Sequence, residues 1–204
     1  LMGKMTVDEK IAQLVQFTAD GTITGPKTGS NFVDEIKQGH VGSILNATGV
    51  DYTRKIQKIN MESSRLKIPI LFGHDVIHGF RTIFPITLGE TASWDLGIAY
   101  RASEVAAAEA SSAGVHWTFA PMVDIARDPR WGRVSEGAGE DTYLGSKMAV
   151  ARVKGFQGND LRALNTILAC TKHFAAYGAA EAGRDYSTVD MSERLLREVY
   201  LPPF

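Results

Sequence analysis

The sequence predicts an α/β fold with a parallel sheet, of the (β/α)8 TIM-barrel type and incomplete. Strand-length apolar runs alternate with helix-period segments along the chain, which is the pattern of parallel strands with helices outside. Each polar cluster follows an apolar run, the side of a barrel where chemistry sits. An open doubly wound sheet for dinucleotides would need Gly-x-Gly-x-x-Gly directly after the first strand. Neither Gly39-His-Val-Gly42 nor Gly137-Ala-Gly139 supplies it. About four to five strands fit, whereas a full barrel takes roughly 250 residues. Residues 1–204 are therefore expected to hold about the first half to two thirds of one barrel domain, and the ending Leu201-Pro-Pro-Phe204 just after a helix fits that expectation.

Thr6 and Glu9 have capping-box spacing, and Ile11, Leu14 and Val15 follow at helical intervals, so an amphipathic helix opens the chain. Asp20 to Ser30 is rich in Gly and Thr and reads as a loop. Its Gly25-Pro-Lys-Thr-Gly-Ser30 lacks the Gly-Lys-Ser/Thr ending of a phosphate loop. A helix over Phe32 to Gln38, a strand over Val41 to Leu45, a helix over Asp51 to Leu66 and a strand over Ile68 to Phe72 come next. An alanine-rich helix from about Thr91 to Ala113 leads to a strand at Val115 to Ala120. A helix from Asp141 to Phe156, with Glu140 and Asp141 placed to cap it, leads to a strand at Ile167 to Lys172. A last helix starts at Ser192.

With 44% hydrophobic and 22% charged residues the chain can bury a sizeable core. A net charge of -1 offers no global field for nucleic acid or an anionic membrane, which points to a small neutral partner. No run reaches the length of a membrane span, and Leu1 opens no signal segment. Cys170 is the only cysteine, so an internal disulfide and a cysteine-based zinc cluster are excluded; within its apolar run it reads as a buried small hydrophobe.

Three clusters carry candidate chemistry. The first is Gly73-His-Asp75-Val-Ile-His78-Gly79-Phe-Arg81, where Asp75 follows a strand and can accept two sugar hydroxyls. His74 and His78 mimic a helical zinc motif, but they follow a strand and meet Gly79 at once, so His78 reads as a hydrogen-bonded residue that shapes the loop. The second cluster runs from Asp124 through Arg127-Asp-Pro-Arg-Trp-Gly-Arg133 to Glu136, Glu140 and Asp141. Most of these charges are expected to pair with one another and order a long loop, leaving one or two for a ligand. The third is Lys172-His173-Phe174, then Tyr177-Gly178 and Arg184-Asp185-Tyr186. Cations beside a carboxylate can grip a neutral polyol, since each hydroxyl oxygen can take a charge-assisted hydrogen bond. Neighbours on a regular strand face opposite sides, so Lys172 and His173 can share a ligand only if the backbone departs from strand geometry between them.

These motifs together resemble glycoside hydrolase family 3, specifically the first two thirds of its N-terminal barrel, and the likeness is to the periplasmic bacterial β-glucosidase type. It rests on Gly73-His-Asp75 with His78-Gly79, on Asp128-Pro-Arg-Trp-Gly-Arg133 with Glu136 and Gly139-Glu-Asp141, on Lys172-His-Phe174 and on Val189-Asp-Met-Ser192. The resemblance implies that Asp75, Arg133, Lys172 and His173 hold the non-reducing sugar. Arg81 matches a further sugar-contacting arginine found in part of the family. A non-proline cis bond around Lys172-His173 is implied as well. The implied reaction is retaining hydrolysis through two carboxyl groups, with no metal and no cofactor. Neither carboxyl group is expected in this chain: the family nucleophile sits in a Ser-Asp-Trp type triplet on a later strand, and the acid/base glutamate comes from a second α/β domain. Asp185 and Asp190 lie too early and read as loop-ordering or supporting residues. Tyr177 stands where an N-acetylglucosaminidase subgroup carries a proton-transferring histidine, which argues against that chemistry. The resemblance implies a periplasmic or secreted location. A β-xylosidase of the same family and a non-catalytic carbohydrate-binding barrel are the alternative readings.

Overall fold

The computed structural model describes residues 1–19 and 32–204, so the segment read as a loop from Asp20 to Ser30 lies outside the described residues. The chain forms two compact units. One is Leu1–Asp75 with Ser112–Trp117, the other Val76–Ser111 with Thr118–Phe204.

In the first unit, α1 (Val7–Ala12) starts at a formed capping box, with Thr6 accepting from the Glu9 N–H and Glu9 from the Thr6 N–H. Strands β1 (Gln16–Thr18), β2 (Ser43–Leu45) and β3 (Leu71–His74) pair in parallel, with Phe17 opposite Ile44 and Ile44 opposite Phe72. Strand β1 is too short and too polar to carry a sequence signal. Strand β4 (Trp117–Thr118) completes a sheet whose order follows the chain, with the His116 N–H bonded to the Phe72 carbonyl at 2.9 Å. Helix α2 (Phe32–Gln38) has the expected range and buries Phe32 and Ile36. Helix α3 (Val50–Ser63) buries Thr53, Ile56 and Asn60 along one face. Phe32, Ile36 and Ile56 close one core with Ile44, Ile70 and Phe72.

The strand expected from Ile68 begins only at Leu71. Pro69 has no N–H to give a ladder, and α3 takes over the pairing of this stretch. Gln57 donates to the Ile70 carbonyl at 3.0 Å and accepts its N–H at 2.9 Å, while Asn60 donates to the Ile68 carbonyl at 2.6 Å. Each such bond contributes about 0.5–1.5 kcal/mol net, and more by sparing buried backbone groups.

The second unit contains α4 (Thr87–Thr91), α5 (Leu96–Ser112), α6 (Thr142–Gln157) and α7 (Glu193–Leu195), which continues as a π turn over Leu196–Tyr200. The single alanine-rich helix expected from Thr91 is thus broken. Trp94 takes a left-handed backbone at φ 59°, and the Asp95 carboxylate accepts from the Gly97 and Ile98 N–H groups at 2.8 and 3.2 Å, a fresh N-terminal cap. Asp141 caps α6 through the Leu144 N–H at 2.6 Å, and Ser192 caps α7 at Leu195. The strand expected at Ile167 to Lys172 is reduced to an isolated parallel bridge between Met122 and Lys172. Backbone bonds still run beside it, from Thr118 to Leu168, Cys170 to Ala120, Lys172 to Pro121 and Val123 to Lys172, at 2.8–3.1 Å. Pro121, after a cis bond to Ala120, interrupts the ladder because it cannot donate. Cys170 is half-buried rather than buried. No helix among the described residues is long and apolar enough to cross a membrane.

Helices α5 and α6 meet through small residues. A Cβ on Gly155 would stand 2.4 Å from the Tyr100 carbonyl oxygen and 2.7 Å from Ser103 Cβ. Nearby, Arg152 of α6 and Glu90 of α4 form an ion pair with side chains 4% and 2% exposed. Burial draws Arg152 down to about 10, so it stays a cation at neutral pH.

Two stability effects follow. Glu90→Gln leaves the Arg152 charge unpaired and should cost about 3–5 kcal/mol, while the double variant Glu90→Leu with Arg152→Met should recover most of it; urea unfolding of the wild type and the two variants measures both. Gly155→Ala gains roughly 1 kcal/mol of helix propensity but loses about 1–3 kcal/mol to overpacking. The steric loss should win, because a carbonyl oxygen held in α5 cannot swing aside, and the urea midpoint should fall with an unchanged slope.

Candidate functional site

Asp124 is the buried anchor of the polar cluster in the second unit. It ends the run Ala120-Pro-Met-Val-Asp124 and is 3% exposed. A carboxylate so far from water is costly unless donors satisfy it. Its Oδ2 accepts twice from one residue, from the His173 backbone N–H at 2.9 Å and from ring Nδ1 at 2.8 Å. Its Oδ1 is buried and takes no hydrogen bond from the described residues. The opposite edge of the His173 ring meets Arg133, with Nη1 3.4 Å from Nε2.

Arg133 sits on the 3-10 turn Gly132–Glu136, which brings Glu136 back three residues later. The pair is bidentate, Nε to Oε1 and Nη2 to Oε2 at 2.8 Å each, and both side chains are about three-quarters buried. That hydrogen bond to Glu136 is the main reason the guanidinium is held above its usual range. Burial pushes the Glu136 carboxyl up, but the Arg133 hydrogen bond and the charges of Arg133 and Lys172 outweigh it and hold Glu136 below its usual value. Lys172 and His173 are joined by a cis peptide, as is Phe174 to Ala175, so the backbone does leave strand geometry there.

Tyr177 fills the space beside this group. Its ring packs edge-on against His173 at 4.8 Å and Trp131 at 5.1 Å, and the Arg133 guanidinium lies 5.4 Å over it. Its hydroxyl donates to Asp185 Oδ1, and buried Trp131 donates its Nε1–H to the same oxygen at 2.9 Å. Burial first, then Asp185, pushes Tyr177 up to about 12. The Tyr177 and Trp131 donors hold Asp185 below the usual carboxylate range. Asp185 therefore orders this loop, the role read for it from its position.

The other sequence-predicted residues lie elsewhere. Asp75 follows β3 at its C-terminal end and belongs to the first unit, half-buried. Arg81 is exposed on a loop of the second unit closed by an antiparallel bridge between Gly79 and Ile83. That loop is fastened by Glu109 of α5, which accepts the Arg81 and Thr82 N–H groups at 2.8 Å and the Thr82 hydroxyl at 2.6 Å. His78 donates from Nδ1 to the Phe84 carbonyl at 2.9 Å and accepts the Phe84 N–H through its own carbonyl, so it shapes the loop as expected. His74 is half-buried, and burial lowers its pKa. No group of three His, Cys, Asp or Glu side chains is placed for a metal among the described residues. Arg130 pairs with Asp128 and Arg133 with Glu136, the loop-ordering pairing expected for this stretch.

Sequence reasoning left two members of the cluster without their roles: Asp124 behind His173, and the Tyr177 ring against His173 and Arg133. A carboxylate closing an apolar run signals a buried acid in need of a donor, yet the donor lies 49 residues further on. Chemically, the cluster offers the Arg133 guanidinium and one imidazole edge 3.4 Å apart, with the Lys172 charge near enough to act on Glu136, an arrangement fit for hydroxyl oxygens.

Comparison with known proteins places this geometry. The chain matches the glycosyl hydrolase family 3 N-terminal domain over residues 6–204. It is 47% identical over 205 residues to the periplasmic beta-glucosidase of Salmonella typhimurium, covering 100% of this chain and 26% of that protein. A putative beta-xylosidase of Formosa agariphila is 33% identical over 221 residues, covering 100% of this chain and 29% of that one. The crystal structure of beta-glucosidase from Listeria innocua in complex with glucose superposes with a TM-score of 0.88 at 43% identity, covering 98% of this chain and 29% of that one. The chain thus spans between a quarter and a third of the length of these relatives. Its parallel, helix-flanked strands are those of a (β/α)8-type domain. On this match and these identities, the chain belongs to glycosyl hydrolase family 3, in the N-terminal domain of that family.

Proposed function

We propose that this chain supplies the sugar-holding part of a retaining β-glucosidase that releases terminal non-reducing β-D-glucosyl residues. The observation that carries the reading is the gathering of Arg133, Lys172 and His173 about one half-buried carboxylate, Glu136, with a second, buried carboxylate behind the imidazole. In this reading Arg133, Lys172 and His173 hydrogen-bond the sugar, Asp75 joins them on the strength of its motif, and Arg81 is a further contact. The nucleophilic and proton-transferring carboxyl groups are contributed by residues outside these 204, since no Ser-Asp-Trp triplet occurs among them. The glucose complex of the Listeria protein supports a glucosyl ligand, and the Salmonella relative supports a periplasmic location. The Formosa relative supports the second reading, a β-xylosidase.

The full-length protein should release glucose from short β-glucosides with retention of configuration, followed by NMR of the first-formed anomer, and should prefer glucosides when glucosides and xylosides compete. Asp75→Ala and Lys172→Met should each lower kcat/KM about ten- to a hundredfold, the loss of one buried hydrogen bond to a charged group. No glucose release, together with unchanged sugar binding by Asp75→Ala, would sink the reading.

A further inference from the structure

The His173 imidazole is flanked by two groups that leave its protons no freedom. On one side, Nδ1 faces Asp124 Oδ2 at 2.8 Å, and a carboxylate can only accept. On the other, Nε2 faces Arg133 Nη1 at 3.4 Å, and a guanidinium can only donate. A neutral ring satisfies both neighbours in one tautomer alone, with the proton on Nδ1 and the lone pair on Nε2. The same Oδ2 takes the His173 backbone N–H, so ring and backbone are pinned to one point. The edge of Tyr177 against the ring at 4.8 Å, at an interplanar angle of 85°, fixes the third direction.

We propose that Asp124 is a positioning residue that locks His173 in the Nδ1–H tautomer, making His173 the acceptor of the sugar site rather than a third cationic donor. Arg133 and Lys172 can only donate to a sugar oxygen, so a cluster of three donors would read every hydroxyl in one sense. A sugar hydroxyl that takes the place of the Arg133 N–H, 3.4 Å from Nε2, at this lone pair must donate its own proton, and the site then distinguishes a hydroxyl from any substituent that only accepts. The sugar half of this inference rests on the functional reading above; the tautomer half does not.

Nitrogen-15 NMR of imidazole-labelled full-length protein at neutral pH tests it, with the His173 signals identified by their loss in His173→Gln. The expected pattern is a protonated Nδ1 and an unprotonated Nε2. Asp124→Leu removes the acceptor and should move the proton to Nε2, with kcat/KM falling about ten- to a hundredfold. Asp124→Asn, whose amide oxygen can accept both bonds, should keep the wild-type ring pattern and recover most of that loss. Should Asp124→Leu not fold, the wild-type and Asn spectra still decide. A wild-type ring protonated on Nε2, alone or with Nδ1, overturns the proposal, as does an Asp124→Leu ring that keeps the wild-type pattern. Failure to bind glucose with the Nδ1–H pattern intact would overturn the functional reading and support the tautomer assignment.

Discussion

A carboxylate taken out of water has to be held by donors, and in the second unit Asp124 is held by a single residue through two of them. The polar cluster is built outward from that constraint. His173 is fixed in place and orientation by Asp124, Arg133 meets the free edge of the imidazole, and Glu136 holds Arg133 in a two-bond fork. Tyr177 packs against both and passes the organisation to Asp185, which also satisfies buried Trp131. The long irregular stretch around Trp131 and the one after Lys172 have almost no regular secondary structure of their own. Side-chain hydrogen bonds do there what a backbone ladder does in a strand.

The first unit solves a related problem with amides in place of charges. Its third strand is preceded by a stretch containing Pro69, and the backbone groups around it find partners in Gln57 and Asn60 of α3. Asp75 then emerges at the end of a short strand whose position is set by the helix that follows the previous one. The buried pair of Glu90 and Arg152 plays the corresponding part in the second unit, tying α4 to α6 where close approach of α5 and α6 leaves room for glycine and alanine.

Much of the architecture was legible because it rests on local rules. Thr6 with Glu9, Asp141 and Ser192 mark helix starts by spacing that a capping bond requires, and each forms that bond. Phe32 and Ile36 announce the buried face of α2. The loop-ordering pairs in the arginine-rich stretch follow from opposite charges a few residues apart. Where reading failed, a competing local device won. Alanine-rich periodicity across Thr91 to Ala113 hid the cap at Asp95 and the left-handed turn at Trp94. The apolar run to Lys172 hid the fact that its neighbour contains a proline unable to donate.

The sequence by itself determined the α/β class, most helix starts, the strand ends that carry Asp75 and Lys172, and the residue types able to hold a polyol, because these depend on periodicity, capping and charge within a few positions. The tertiary structure alone decided that Asp124 stands behind His173, that Tyr177 shapes the surroundings of Arg133, and which nitrogen of His173 faces which partner. Those facts join residues 40 or more positions apart, and a desolvated carboxylate has no preferred partner until folding puts a donor within about 3 Å of it.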